Sequence, residues 1–133
     1  MAASSDGTPL ADAEAEGLIR LREEEKLAHD VYVALGQKWD VPVFSNISQA
    51  ESRHMQAMAG LLDTYELTDP VDGSEAGEFD DPAFAKLYND LVKAGSVSLA
   101  EAYKVGALIE EMDLADLREA QENSKRPDIL GVY

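Results

Sequence analysis

LIRLREEEKLAHDVYVALGQKW, residues 18–39, is the stretch whose periodicity decides the fold. Leu18, Leu21, Glu25, Ala28, Tyr32, Leu35 and Trp39 step by 3, 4, 3, 4, 3 and 4, which lines them along one face of a helix. The seam is apolar except at Glu25, which stands in the run Glu23-Glu24-Glu25. A run of acids is usually a solvated helix face. Phase overrides that habit here: three consecutive residues span about 200° of a 3.6-residue turn, so one of the three must point where the seam points, and Glu25 is the one in register.

Working outward, Gly36 weakens the end of this helix and Trp39-Asp40-Val41-Pro42 forces an exit, so the expected helix covers about residues 11–37. VFSNISQAESRHMQAMAGLL, residues 43–62, carries a second seam of Ile47, Glu51, His54, Met58, Leu61 and Tyr65. With Ser45 as N-cap and Phe44 as staple, the spacing predicts a helix over 45–65. Residues 66–80 mix Asp, Glu, Gly and Pro without apolar period and read as a loop. Asp81-Pro82 opens a short helix over 82–94, closed by Gly95. Ser98-Leu99-Ala100-Glu101 is a capping box that starts a helix over 99–122. One face of that helix holds Leu99, Tyr103, Gly106, Glu110, Asp113 and Leu117, and its neighbour holds Ala102, Val105, Ile109 and Met112. Residues 1–9 read as a disordered leader to an all-α domain over 10–133, and the stretch after Pro127 is too short for another full helix.

Composition narrows the chemistry. The chain has 133 residues, 45% of them apolar, enough for one domain with one core. It has no cysteine, so disulfides, thiolate metal sites and thiol nucleophiles are excluded, and any metal must be held by oxygen and imidazole. Twenty-seven acidic residues against eleven basic ones give a formal charge of -16, which repels nucleic-acid phosphates and anionic lipid and suits cations. The same acidity suits a salty cytoplasm, in which case the melting temperature should rise from low to molar salt. The N-terminal residues have no basic segment followed by an apolar one, and no stretch approaches a membrane span. The expectation is a cytoplasmic protein, or an exported one if a signal peptide has been removed from it. Glycines stand singly without a phosphate loop, and two histidines without Gly-x-Ser-x-Gly give no nucleophilic triad.

Acids fall on three separate seams: Glu25, then Glu51 with His54, then Glu110 with Asp113. A buried carboxylate costs several kcal/mol unless a cation or proton partner compensates it, so several converging on one core ask for a shared cation. Glu-x-x-His places a carboxylate and an imidazole one turn apart on one face. Plainer readings exist for each residue: Glu51 as capping partner of Ser48, His54 as a hydrogen-bonded core histidine, Asp113 as an acceptor from a neighbouring helix. Starting the second helix at Ser48 would waste Ser45 and leave Ile47 outside, and His54 gains weight as a ligand from the Glu three residues before it. His29 falls beside the seam and reads as structural or as support for a ligand. Met55, Met58 and Met112 read as core filling.

LREEEKLAHDVY, the second-helix stretch and SLAEAYKVGALIEEMDLADL together resemble the ferritin-like domain family catalogued as DUF2202, over about three quarters of the chain. The resemblance implies a ferritin-like helical bundle with a site for two iron ions that oxidises ferrous iron with oxygen or peroxide. It implies Glu25 as a terminal ligand, Glu51 as the bridge and His54 as terminal. Glu110 matches the third-helix ligand position, preferred over Glu111 because Glu110 shares a face with Gly106 and Asp113. Tyr32 resembles the tyrosine beside ferritin metal sites, where it could hydrogen-bond a ligand or supply an electron. Ferritin-like domains carry a fourth helix with another acid and histidine, and its complete form is missing from this chain. A homo-oligomer, a dimer or larger, completing the bundle is one expectation. Zinc or manganese are alternatives to iron, since oxygen-rich ligation does not choose among them. A second reading is a metal-free helical module that assembles through the open face, with Leu61, Ile109 and Leu117 as its interface.

Overall fold

The computed structural model describes residues 11–71 and 74–124 together with Arg126 and Ile129. The expected leader over 1–9 and most of the stretch after Pro127 lie outside the described residues. Four helices follow one another: α1 (Asp12–Trp39), α2 (Pro42–Thr64), α3 (Pro82–Gly95) and α4 (Leu99–Asn123). The chain is an all-α helical bundle, and no strand occurs among the described residues. No described helix is long and apolar enough to cross a membrane.

Each helix starts and stops for a local reason. Glu14 reaches back to accept from the Ala11 amide at 3.2 Å, closing the first turn of α1. Its far end stops at Asp40, whose left-handed backbone (φ 50) lets its amide donate to Gly36 O. α2 begins at Pro42, three residues before the expected Ser45. Val41 is the N-cap and Pro42 supplies the preset φ of a first helical position, so Ser45 lies inside the helix and Phe44 is a buried core residue instead of a staple. The Asp81 side chain caps α3 through the Ala83 amide, and Ser98 caps α4 through the Glu101 amide.

α1 is the central element: α2, α3 and α4 all pack on it, and α2 meets α4 through long side chains, the Phe44 and Tyr103 rings lying 5.5 Å apart. At the end of α3, a Cβ on Gly95 would lie 2.7 Å from Leu35 Cδ2, so a larger residue there would push α3 off α1. Trp39 Nε1 donates to Gly95 O at 2.8 Å and fixes the same corner. The other side of α1 is roofed by the α2–α3 connection. Lys26 Nζ donates to Glu75 O and Glu78 O, Arg22 forks onto Asp69, and Glu23 accepts from the Asp80 and Asp81 amides. As a result every residue from Leu21 to Ala28 is buried, charged ones included.

The apolar core is divided in two. One cluster joins Leu27, Val31, Tyr32, Leu35, Phe44 and Ile109, and the other joins Leu18, Leu21, Met58, Leu62, Ala120 and Ile129. Between them, at the same height on α1, α2 and α4, runs a layer of acids.

Candidate metal centre

Glu25 projects from the middle of α1 and is fully buried, with 0% exposure. Glu51 and His54 approach it from α2, one turn apart, and ligand atoms of the three lie within 4.8 Å of one another. Glu110 and Asp113 approach from α4, and with Glu51 they form a second group within the same limit. The five expected ligands are thus brought to one layer, and Glu51 is the member shared by both groups.

The partners of these groups set the electrostatics. His54 Nδ1 stands 3.2 Å from Glu25 Oε2. Among the described residues, no backbone amide, lysine or arginine donates to either Glu25 oxygen, whose partners are the His54 ring and the proton shared with Glu51, and Asp113 Oδ1 finds no donor. Burial pushes the Glu25 carboxyl up, and the neighbouring Asp113 and Glu110 add to this while a hydrogen bond from Glu51 works against it. Burial pushes Glu51 further, to about 10, because it holds the proton that it shares with Glu25. With no cation bound, the layer can exist near neutral pH only by keeping protons. A cation would displace those protons and take up the orphaned oxygens.

Tyr32 sits beside this layer, donating to Glu110 Oε1 at 2.8 Å with Gly106 O 3.2 Å away. Burial and then the Glu110 carboxylate raise the Tyr32 hydroxyl well above the ordinary phenol range, so it stays protonated and holds Glu110 in place. Glu110 itself is exposed, on the side where α2 and α4 stand apart. His29 keeps to a supporting place, its Nδ1 3.1 Å from Asp30 Oδ1.

Sequence reading missed Glu24. It is 3% exposed, neither of its oxygens finds a donor among the described residues, and burial with the adjacent Asp116 pushes its carboxyl up to about 9. The signal was available: Glu24, Leu27 and Val31 step by 3 and 4, a second seam overlapping the first. Of the residues expected to form an interface, Leu61 and Ile109 are buried at 6% and 4% within the chain, and only Leu117 keeps partial exposure. They pack the two apolar clusters, so that expectation is corrected.

The family described as uncharacterized protein domain DUF2202 matches residues 14–133, which span all four helices and the whole acid layer. The chain belongs to the DUF2202 family. A relative within reach is the uncharacterized protein MJ0754 of Methanocaldococcus jannaschii, 46% identical over 125 residues, which make up 94% of this chain and 68% of the relative. The crystal structure of the hypothetical protein MJ0754 superposes with a TM-score of 0.91 at 45% identity, covering 95% of this chain and 72% of that one. DUF2202 membership and this likeness carry the helical bundle, and the chemistry rests on the geometry of the acid layer.

Proposed function

We propose that this DUF2202 chain is a ferritin-like carboxylate–histidine metal protein that holds two iron ions and oxidises ferrous iron with oxygen or peroxide. One observation carries the reading: Glu25 is wholly buried among other acids, and among the described residues no backbone amide, lysine or arginine donates to it, its partners being the His54 ring and the proton shared with Glu51. Carboxylates arranged this way destabilise a fold unless a cation neutralises them. The donor set of oxygens and one imidazole fits iron, and fits manganese or zinc as well.

Glu25 and His54 would hold one ion, Glu110 and Asp113 the other, with Glu51 common to both. Bound iron supplies reversible one-electron chemistry between ferrous and ferric states, and two ions together supply the two electrons that reduce oxygen to peroxide. The residues of the chain do the rest. Glu51 gives up its proton as a cation arrives. Tyr32 keeps Glu110 oriented through its hydroxyl and stands on the wall of a cavity of about 480 Å³ that also includes Gly36, Asp40 and Ser48, which would admit a small oxidant. The two apolar clusters above and below keep bulk water from Glu25, while Glu110 and His54 stay open to it.

Anaerobic ferrous titration followed by air is the test. The expected result is two ions per chain, oxygen uptake and new near-ultraviolet ferric absorbance. Protein that binds no ferrous, manganous or zinc ion, with added metal raising the melting temperature of neither the parent nor Glu51→Ala, overturns the reading. Metal analysis of protein purified without added metal chooses among iron, manganese and zinc.

A second reading has one observation in its favour. Tyr103 and Leu114 on α4 are 49% and 52% exposed, and Ala50, Ala57 and Gly60 on α2 are exposed and small, so the side between these helices can receive another helix. A homo-oligomer assembled there without metal is the rival. Sizing the protein with and without chelator separates the two: an oligomer indifferent to chelation favours the interaction module.

A further inference from the structure

We propose that Glu24 and Asp116 form a separate station for a divalent cation on the α1–α4 seam, and that it hands ions to the central acids through Asp113. The inference rests on the metal-binding reading above and goes beyond its five ligands.

Glu24 carries the argument. It is 3% exposed, and neither carboxylate oxygen meets a donor among the described residues. Its side-chain neighbours across the seam are acids, Asp116 in contact and Asp113 close by. The base at hand, Arg20, relieves it only in part, its charge being the smallest of the influences on Glu24. The Arg20 guanidinium lies 3.8 Å from Asp116, is 59% exposed, and is drawn over the Phe84 ring at 5.4 Å. So an acid pair faces inward with one loosely held cationic side chain at its outer edge.

Position then gives the pair a role. Asp116 lies on the wall of a cavity of about 470 Å³, open to the surface and bordered by Glu16, Arg20 and Glu119. Three acids against one base make this mouth attractive to cations, within the field of a chain of net charge -16. On the inner side, Asp113 interacts with both Glu24 and Glu25. Asp116 and Glu24 thus stand at the outer end of the α1–α4 seam and Asp113 with Glu25 at its inner end, with the Asp113 charge felt by both glutamates. A lone proton on Glu24 would lower its cost but would leave that arrangement and the acidic mouth without a purpose. One or two carboxylates completed by water are enough for a hard divalent ion held in transit.

Manganese(II) is a suitable probe, followed by equilibrium dialysis and by stopped-flow loading, on the full chain. The parent should bind one more ion than Glu24→Gln. Glu51→Ala should lose the central ions and keep this one. Glu24→Gln should fill the central site to the parent's level but load about tenfold more slowly, in line with the steering that a charged cleft provides. Asp116→Asn, at a partly exposed position, should do the same and serves if Glu24→Gln fails to fold. Parent-like stoichiometry and rate in both variants overturn the station while leaving the central site standing. Loss of the extra ion with parent-like loading overturns the hand-over. A parent that takes up no manganese and no ferrous ion overturns both this inference and the function it rests on.

Discussion

α1 buries two sets of charges, and they are treated in opposite ways. On the side under the α2–α3 connection, Lys26 Nζ meets Asp30 Oδ2 at 2.6 Å, Glu75 O at 2.7 Å and Glu78 O at 2.8 Å, which uses all three of its donors. Glu23 accepts two backbone amides, and Arg22 holds Asp69 with two nitrogens although its third, Nη1, has no partner among the described residues. On the side facing α2 and α4, Glu24 and Glu25 are as deeply buried, and among the described residues no backbone amide, lysine or arginine donates to either. The same helix, over the same two turns, satisfies one set and leaves the other open. Paired burial holds a loop in place; unpaired burial stores a demand for a ligand. The contrast separates acids that hold the fold from those that the proposed metal site would use, where residue type and burial alone cannot.

The comparison breaks first at Lys26. Replacing it by Met strands the Asp30 carboxylate and two loop carbonyls in a buried setting, so Lys26→Met should lose about 3 to 5 kcal/mol in chemical denaturation. A loss under about 1 kcal/mol would mean that the roof over α1 is not held by its charges. On the open side, Glu51→Ala removes a direct ligand and should weaken central metal affinity by more than about 100-fold, the upper end of what changes to supporting partners cost. The same variant should melt no lower than the parent without metal, because it removes a carboxyl that burial penalises. Isothermal titration and thermal melts check both halves.

The two sides should also answer pH with opposite sign. Glu25, Glu24 and Glu51 are raised from 4.5 to about 8, 9 and 10, so the metal-free folded state keeps protons that the unfolded chain gives up. Their stabilising contribution is whole below pH 4.5 and is lost as pH rises through those values, by at most about 1.4 kcal/mol per pH unit for each group. Asp30 behaves the other way. Burial raises it, but hydrogen bonds from His29, Lys26 and Gly77 outweigh that and hold it below 3.8, so its contribution is whole above that pH and lost as pH falls below it. Melting temperatures of metal-free parent and Glu24→Gln from pH 5 to 9 should converge on the alkaline loss being smaller in the variant; identical curves would remove Glu24 from the account. The smallest effect is expected at Tyr32. Tyr32→Phe deletes one hydrogen bond to Glu110 and should cost about 1 kcal/mol of stability, with oxidation slowed more than metal affinity is weakened.

Helix periodicity made the bundle legible. The seams through Glu25, Glu51 with His54, and Glu110 with Asp113 are spaced by helix geometry alone, and that geometry is local. The capping of α4 by Ser98 was equally readable, since it involves neighbours in sequence. The start of α2 was not: Ser45 is a good cap by type, yet Pro42 after an extended Val41 begins the helix earlier and lets Phe44 enter the core. The burial of Glu23 and Lys26 was hidden too, because their partners sit more than 45 residues away in a connection without period.

By itself, then, the sequence determined four helices, the inward phase of Glu25 and Asp113 though not of the exposed Glu110, and the exclusion of thiol chemistry, because these depend on residue type and on a 3.6-residue repeat. Only the tertiary structure decided which buried charges are answered. Pairing depends on which distant segment folds over each face of α1, and no spacing along one helix contains that information.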